Sequence, residues 1–409
     1  MRPLRRAAIL AMLVVLAGCK RHAGSAVCAA GDLAAVHPRV RLDQSLSPRE
    51  ARIGVIGTTF VVVWSGGTDT DSDLFARAVD SFSVPVSAEV RLTNITGRSQ
   101  HPRFAAGAGG LGLAWEDDRQ GRLDTFGAVL GSSLGPVLGH AFVAPDISTT
   151  QDPRPAIATF GTAFRLVWNA PGPDGVDHLW TAPMGRDGSA PGAPVLVDPA
   201  LGDRHAAYPE AVAFGNTMAV VDDAQPNGVP APPDVFAYLL STTGGIGASY
   251  RFAPNSPARM PAVAFDDAGD AAVLWCDKRT GQEQIYFGSF GTTTAGIITP
   301  ERAVSAAPAC EPALAGGQSF FLATWSEQAP SGRAIRFQSL HRDGIPDLVP
   351  KTIASDSDAS PELHRPDIAW NGRVVGVSWI GAQGGVWFQP LECTLGDFAG
   401  ASPTPSATP

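Results

Sequence analysis

The side chains best suited to chemistry are acidic, basic and imidazole groups. They stand next to the β-strands of a repeated sequence unit, which is described below. They are His101, Arg103, Asp152, Arg154, His205, Glu210, Glu311, His364, Arg365 and Asp367. Paired carboxylates cleave glycosidic bonds by acid and base catalysis. The candidate carboxylates are Asp152, Glu210, Glu311 and Asp367. No carboxylate pair or histidine pair stands at metal-ligand spacing, so a catalytic site, a mixed-charge binding face and ordinary solvated loops all remain open.

A second acidic segment has the form of the start of a calcium loop. Asp69, Asp71 and Asp73 alternate with small polar residues, and Asp80 follows at the twelfth position. Leu74, however, stands where the sharp turn of such a loop needs glycine. We therefore expect a solvated acidic loop and no metal or cofactor, with a weak calcium site at Asp69, Asp71 and Asp73 as the alternative.

The recurring strand belongs to a repeat of about 50 to 54 residues. Six hydrophobic runs end in tryptophan, at Trp64, Trp115, Trp168, Trp275, Trp325 and Trp379. In the long gap after Trp168, Val221 takes the place of the tryptophan. About eleven residues before each of these positions stands a large apolar residue followed by glycine or alanine. These pairs are Ile53-Gly54, Phe104-Ala105, Ile157-Ala158, Val212-Ala213, Val263-Ala264, Leu314-Ala315 and Ile368-Ala369.

The repeat predicts an all-β fold, a seven-bladed β-propeller of four-stranded antiparallel blades. In each unit the apolar–small pair, here called the two-residue marker, precedes the run that ends in tryptophan. Turn residues such as Gly57-Thr58 separate the marker from that run, which places the marker on strand A and the run on the adjacent antiparallel strand B. Two further β-rich runs supply strands C and D, and small residues suit strand A if it lies at the crowded axis. Because Val40 to Asp43 resembles an outer strand and the last unit stops early, we expect residues 40–43 to complete the last blade.

Within this repeat, a turn motif places acidic and basic residues after the tryptophan. It reads Trp115-Glu116-Asp117-Asp118-Arg119-Gln120-Gly121 and Trp275-Cys276-Asp277-Lys278-Arg279-Thr280-Gly281. With this architecture, the chain resembles bacterial extracytoplasmic β-propeller lipoproteins with sialidase-like or TolB-like repeats. No Ser-x-Asp-x-Gly-x-Thr-Trp box occurs, so the resemblance implies the architecture and not sialidase activity.

The N-terminus predicts export. Three arginines precede an apolar run too short to span a bilayer, and Leu16-Ala17-Gly18-Cys19 resembles the lipobox of bacterial lipoproteins. The predicted organisation is a signal peptide (1–18), a lipidated N-terminus and linker (19–38), the propeller (39–398) and a disordered tail (399–409). Lipid on Cys19 would anchor the protein to a membrane, and Lys20 favours the outer membrane. An ordinary signal peptide cut nearby is the alternative.

The remaining cysteines suggest two disulfides in an oxidising compartment. Cys276 follows strand B of the fifth unit and Cys310 precedes strand A of the sixth, at the same rim. The register therefore pairs Cys276 with Cys310, which leaves Cys28 to pair with Cys393 at the seam.

Charge narrows the range of partners. The formal net charge of −9 becomes −12 once the three signal-peptide arginines are removed, which disfavours nucleic acid. We expect a monomeric, non-catalytic propeller that binds a protein, peptide or glycan at the cell envelope. The alternatives are a carbohydrate-active enzyme with an axial active site and a structural member of an envelope complex.

Overall fold

The computed structural model describes most of the chain from Leu33 onwards. The described residues are 33–35, 37–44, 47–107, 110–131, 134, 141–142, 154–189, 192–197, 204–226, 231–241, 244–292, 296–330, 332–347, 349–356, 365–381 and 384–393. The predicted signal peptide, Cys19, Cys28 and the 399–409 tail lie outside them. In the part that is described, no helix has the length and apolarity needed to cross a membrane.

The regular structure of these residues consists of β-strands. The strands are β1 (Leu33–Ala34), β2 (Val40–Arg41), β3 (Pro48–Ile56), β4 (Thr59–Gly67), β5 (Ser72–Val79), β6 (Val90–Arg91), β7 (Ser99–Gly107), β8 (Gly110–Asp117), β9 (Asp124–Leu130), β10 (Ala141–Phe142), β11 (Ala156–Phe160), β12 (Ala163–Pro171), β13 (Asp177–Met184), β14 (Val195–Leu196), β15 (Arg204–Phe214), β16 (Thr217–Pro226), β17 (Asp234–Leu240), β18 (Ile246–Phe252), β19 (Ala258–Phe265), β20 (Ala271–Asp277), β21 (Gln284–Phe290), β22 (Ile297–Ala303), β23 (Ala309–Gly316), β24 (Phe320–Ala329), β25 (Gly332–His341), β26 (Lys351–Asp356), β27 (Asp367–Trp370), β28 (Val375–Ile380) and β29 (Val386–Cys393).

These strands form seven antiparallel sheets arranged in a ring, which confirms the predicted seven-bladed propeller. Blades 1 to 6 each use four consecutive strands, from β3–β6 to β23–β26, and blade 7 contains β27, β28 and β29. The first strand of each blade contacts the first strand of the next, and β27 contacts β3 to close the ring. Strand A is therefore innermost, as predicted.

The predicted closure is confirmed as well. Val40 pairs with Phe388 and Arg41 with Trp387, so β2 lies antiparallel to β29 at the outer edge of blade 7. The shorter β1 pairs with the far end of the same strand. The N-terminal segment thus covers an edge that would otherwise expose unpaired backbone groups.

Seven hydrophobic clusters hold the blades together, one at each interface. Six of them contain the tryptophan of one blade packed on the blade before it, and these tryptophans are at most 1% exposed. Trp64, for example, packs with Phe60 and with Val386 and Phe388 of blade 7. A four-stranded sheet between two others must bury both faces, and a large aromatic side chain fills the gap between them.

Blade 4 departs from the sequence alignment by one residue. The alignment places Val221 at the tryptophan position, but Val221 packs toward blade 5, whereas every tryptophan packs toward the preceding blade. Met218 and Val220 are the side chains that face blade 3, and by strand alternation Asp222 follows them on that face. Matching by apolar type selected the wrong face, because a shift of one residue reverses the side-chain direction.

The small residues of strand A make room for the next blade. A Cβ atom added to Gly54 of blade 1 would overlap the ring of Phe104 of blade 2. Phe104 is itself the large residue of the same two-residue marker one repeat later. The marker therefore encodes contact between neighbouring blades at the axis, where the strands are closest.

A disulfide joins blades 5 and 6. Cys276, at the end of strand B, bonds to Cys310, at the start of the next strand A, with 5.0 Å between their Cα atoms. This is the pair that the register predicts. The bond indicates an oxidising compartment outside the cytoplasm. Because Cys28 lies outside the described residues, its pairing with Cys393 stays a prediction.

Candidate functional site

Strand A is irregular where it enters the ring. In five blades its pairing with strand B shifts register near the first residues, which is the signature of a β-bulge. The shifts lie at Pro48/Ala51, Gln100/Arg103, Ala207/Glu210, Arg259/Ala262 and Cys310/Ala313. A bulge redirects the side chains beside it, and here five bulges surround the same end of the axis.

Four of these bulges contain a residue in a rare backbone conformation. His101, Tyr208, Met260 and Glu311 have φ angles of 51°, 52°, 53° and 58°. Each directly precedes a proline, which favours extended backbone in the residue before it. Such conformations cost about 1 to 3 kcal/mol each and are concentrated at functional sites. The repetition around one axis marks this end of the propeller as the candidate site.

The bulges surround a pocket at the axis, here called the axial pocket, which is partly open to solvent and has a cavity volume of about 50 Å³. Its lining residues are Arg52, Arg103, Arg154, Tyr208, Glu210, Met260, Pro261, Glu311, Pro312, Arg365 and Pro366. A cavity of this size admits a small polar or charged group and a few water molecules, so a sugar chain would lie across the open mouth of the pocket.

Glu50 is the centre of the charge network beneath the pocket. Its carboxylate lies 2.6 Å from Arg103 Nη1, 2.9 Å from Arg52 Nη2 and 3.2 Å from Arg365 Nη1. Nε2 of His101 lies 3.8 Å away, and the other ring nitrogen contacts Glu116 at 2.7 Å. Burial opposes ionisation of Glu50, but attraction by Arg103, Arg52, Arg365 and His101 holds its pKa well below the usual value.

Two further carboxylates share the same arginines. Glu210 Oε1 lies 3.0 Å from Arg103 Nε and 3.2 Å from Arg52 Nη2. Asp367 accepts a hydrogen bond from the backbone N–H of Ile53 at 2.9 Å and lies 3.9 Å from Arg52 Nη1. Burial raises the pKa of Asp367, and the charge of Glu210 adds to the increase despite Arg52.

Glu311 is the pocket carboxyl group best suited to carry a proton. Burial raises its pKa, and the charge of Glu50 contributes in the same direction. Its cationic partners are distant, with Arg333 Nη1 at 3.5 Å and Arg365 Nε at 3.9 Å. A glutamic acid with a raised pKa at the edge of a pocket is suited to act as a general acid.

A second proton-binding carboxyl group lies behind Met260. Burial raises the pKa of Asp223 to about 7, although the backbone N–H of Met260 and the charges of Arg259 and Arg154 lower it. The Met260 N–H donates to Asp223 Oδ2 at 2.9 Å. Asp223 therefore supports one of the strained bulges and titrates near neutral pH.

Arg154 and Tyr208 also line the pocket and contact each other. The guanidinium carbon of Arg154 lies 4.3 Å from the centre of the Tyr208 ring, a cation–π contact. No carboxylate among the described residues forms an ion pair with Arg154, and the Tyr208 hydroxyl has no hydrogen-bond partner among them. Both groups are available to a ligand.

Half of the residues selected from the sequence come together here. Arg103, Arg154, Glu210, Glu311 and Arg365 contact the pocket, while His101 and Asp367 belong to the network beneath it. His205 does not join them, since it contacts Asp177 at 3.3 Å. Asp152 and His364 lie outside the described residues.

Sequence reasoning missed Glu50, Arg52, Tyr208, Met260 and Asp223. A signal for two of them was present, because Tyr208 and Met260 stand directly before a strand-A proline, as do His101, Arg154, Glu311 and Arg365. Neither Glu50 nor Arg52 stands directly before a proline, and only the ring places them beside the other blades.

The acidic segment does not assemble into a calcium loop. Asp69 forms an ion pair with Arg49, and Asp73 pairs with Arg91 and accepts a hydrogen bond from Thr93 at 2.9 Å. Within the described residues, the single trio of side chains close enough to share a metal ion is Cys276, Glu283 and Cys310. The disulfide already occupies both of those thiols.

No protein-family model matches this sequence, and no curated protein matches it. Solved structures do share the fold. An ulvan lyase, a polysaccharide lyase, is 10% identical with a TM-score of 0.58, covering 87% of this chain and 95% of its own. The polysaccharide lyase Uly1 is 9% identical with a TM-score of 0.53, covering 86% and 91%. Raptor of Chaetomium thermophilum is 7% identical with a TM-score of 0.53, covering 87% of this chain and 29% of its own.

These structures correct the expectation of a non-catalytic propeller. Propellers that match this chain along almost their whole length include glycan-cleaving enzymes. At 9 to 10% identity the likeness itself establishes the fold and not the reaction.

Proposed function

We propose that this protein is a carbohydrate-active enzyme that cleaves a glycan in the axial pocket. The observation that carries the proposal is Glu311, a carboxyl group with a raised pKa that a strained bulge presents to the pocket. Cleavage of a glycosidic bond needs a proton for the departing oxygen, and Glu311 would donate it. Glu210, the second pocket carboxylate, would activate water or stabilise the cationic transition state.

The glycan-cleaving neighbours support this proposal, since the solved ulvan lyases include one bound to a glucuronate–sulfated rhamnose unit. They also introduce elimination as a second candidate reaction. The observation that favours elimination is the Tyr208 hydroxyl, which has no partner among the described residues and could take up or deliver a proton. Hydrolysis yields saturated products, whereas elimination leaves a double bond conjugated to a carboxyl group.

The test is a screen of purified protein against neutral and acidic polysaccharides. Release of reducing ends reports either reaction, and a gain in ultraviolet absorbance reports elimination alone. Glu311→Gln keeps the shape of the side chain but removes its proton, and we expect kcat to fall at least about 100-fold. Glu392→Gln, at the outer edge of blade 7, is the matched control and should keep full activity. Wild-type rates in Glu311→Gln would rule out the assigned general acid.

We further propose that the enzyme is a lipoprotein held to a membrane, the outer membrane by preference, through Cys19. The disulfide supports a location outside the cytoplasm. Cys19→Ser should abolish labelling with a radioactive fatty acid and leave the precursor uncut. A Cys19→Ser protein that is processed and recovered with membranes as before would show that an ordinary signal peptide is used.

A further inference from the structure

The axial pocket has a different charge balance from the rest of the protein. The chain carries a formal charge of −9. The pocket, in contrast, is lined by four arginines and two glutamates, and the carboxylates of Glu50 and Asp367 beneath it offset part of the arginine charge. Since a mostly acidic protein repels anions, an anion site here needs an arginine that protein carboxylates do not already engage.

The arginines of the pocket fall into two groups. Arg52, Arg103 and Arg365 form ion pairs with Glu50 at 2.6 to 3.2 Å, and Glu210 and Glu311 add further pairs, so protein carboxylates already engage all three. Arg154 contacts the face of Tyr208 and forms no ion pair with a described carboxylate. A stacked guanidinium is held in place while its N–H edge stays free, and that edge matches the oxygens of carboxylate or sulfate groups.

Two carboxyl groups of this region bind a proton more readily than ordinary ones. Burial raises the pKa of Asp223, whose charge interacts with that of Arg154, to about 7. Burial likewise raises the pKa of Glu311. Protonation of either group lowers the negative charge that an anionic ligand meets.

We propose that the axial pocket binds an anionic sugar unit and that Arg154 receives its carboxylate or sulfate group. This inference rests on the proposed function, because it names the substrate class of the same pocket. Because the pocket is open to solvent, the charged group can enter it while neighbouring sugar units lie across its mouth. Arg154 is thus the residue that sets specificity, distinct from Glu311, which supplies the proton.

Matched pairs of ligands test the charge requirement. An oligogalacturonate is compared with its methyl ester, and a sulfated galactan fragment with its desulfated form, by isothermal titration calorimetry. Inorganic sulfate serves as the smallest probe. We expect the charged member of at least one pair to bind at least about tenfold more tightly, and we expect this advantage to shrink as salt is added.

Variants locate the charge recognition. Arg154→Gln should weaken binding of the charged ligand about 10- to 100-fold, the usual value of a hydrogen bond to a charged group. Arg373→Gln is the matched control, because Arg373 is exposed beside the A–B turn of blade 7, at the far end of strand A. Arg373→Gln should bind as the wild type does.

The outcomes separate this inference from the proposed function. Binding that requires the charge but no cleavage of any glycan would support the anionic ligand and refute the enzyme. Cleavage confined to neutral glycans would support the enzyme and overturn the anionic ligand. Equal binding of both members of every pair, no binding at all, or unchanged binding by Arg154→Gln would also overturn the inference.

Discussion

Removal of the Glu50 carboxylate is the most informative test of the charge network. In Glu50→Gln the side chain keeps its size, but Arg52, Arg103 and Arg365 lose their shared counter-charge. At an effective dielectric of about 20, one such pair at about 4 Å contributes roughly 4 kcal/mol before desolvation is subtracted. Because uncompensated buried charges remain, we expect the free energy of unfolding to fall by about 3 to 5 kcal/mol.

The assay is equilibrium urea unfolding followed by the fluorescence of the tryptophans at the blade interfaces. Glu283→Gln is the control, because the Glu283–Arg259 pair, at 2.6 Å, has side chains that are 34% and 43% exposed. Loss of an exposed pair should cost less than about 1 kcal/mol. A similar small loss in both variants would refute the role of Glu50.

The pH dependence of this effect has a definite sign. The folded-state pKa of Glu50 is depressed, so its stabilising contribution is present above the ordinary carboxyl pKa of about 4.5. The contribution is lost as the pH falls through the folded-state value. The difference between wild type and Glu50→Gln should therefore narrow below about pH 4.5. A difference that stays constant into acid would contradict the assigned ionisation.

Two more predictions concern stability. The pKa of Asp223 is raised from 3.8 to about 7, so its ionisation destabilises the folded state increasingly between these pH values. Asp223→Asn should therefore be more stable than the wild type at pH 8, by at most about 4 kcal/mol, and equal to it near pH 4 in thermal unfolding. If Asp223→Asn were instead destabilised relative to the wild type, and more so at pH 8 than at pH 4, the raised pKa would be contradicted. Replacing both cysteines of the Cys276–Cys310 bond by alanine opens a loop of 34 residues. The free energy of unfolding, measured in urea, should fall by about 3 to 4 kcal/mol, because the unfolded chain gains the entropy of the opened loop. Unchanged stability would show that the bond does not constrain the unfolded chain.

The fold could be predicted from the sequence because a propeller repeats one local pattern. Blade number follows from the period, and the closing strand follows from the resemblance of Val40 to Asp43 to an outer strand. The Cys276–Cys310 pair follows from the register, since strand B ends where the next strand A begins. Each of these features depends on strand alternation and on contacts between neighbouring units. Where the pattern weakens, at Val221, the prediction failed by one residue.

The axial pocket could not be predicted from the local repeat, because its residues come from separate blades. Glu50 and Arg365 are 315 positions apart in the chain, yet they form an ion pair. The bulges and left-handed residues that turn Tyr208, Met260 and Glu311 toward the axis break strand alternation, which is the rule that sequence reasoning applies. The proton affinity of Glu311 and Asp223 likewise comes from burial and from charges on other blades. Closing the ring is what brings these groups together, so their chemistry arises only in the folded propeller.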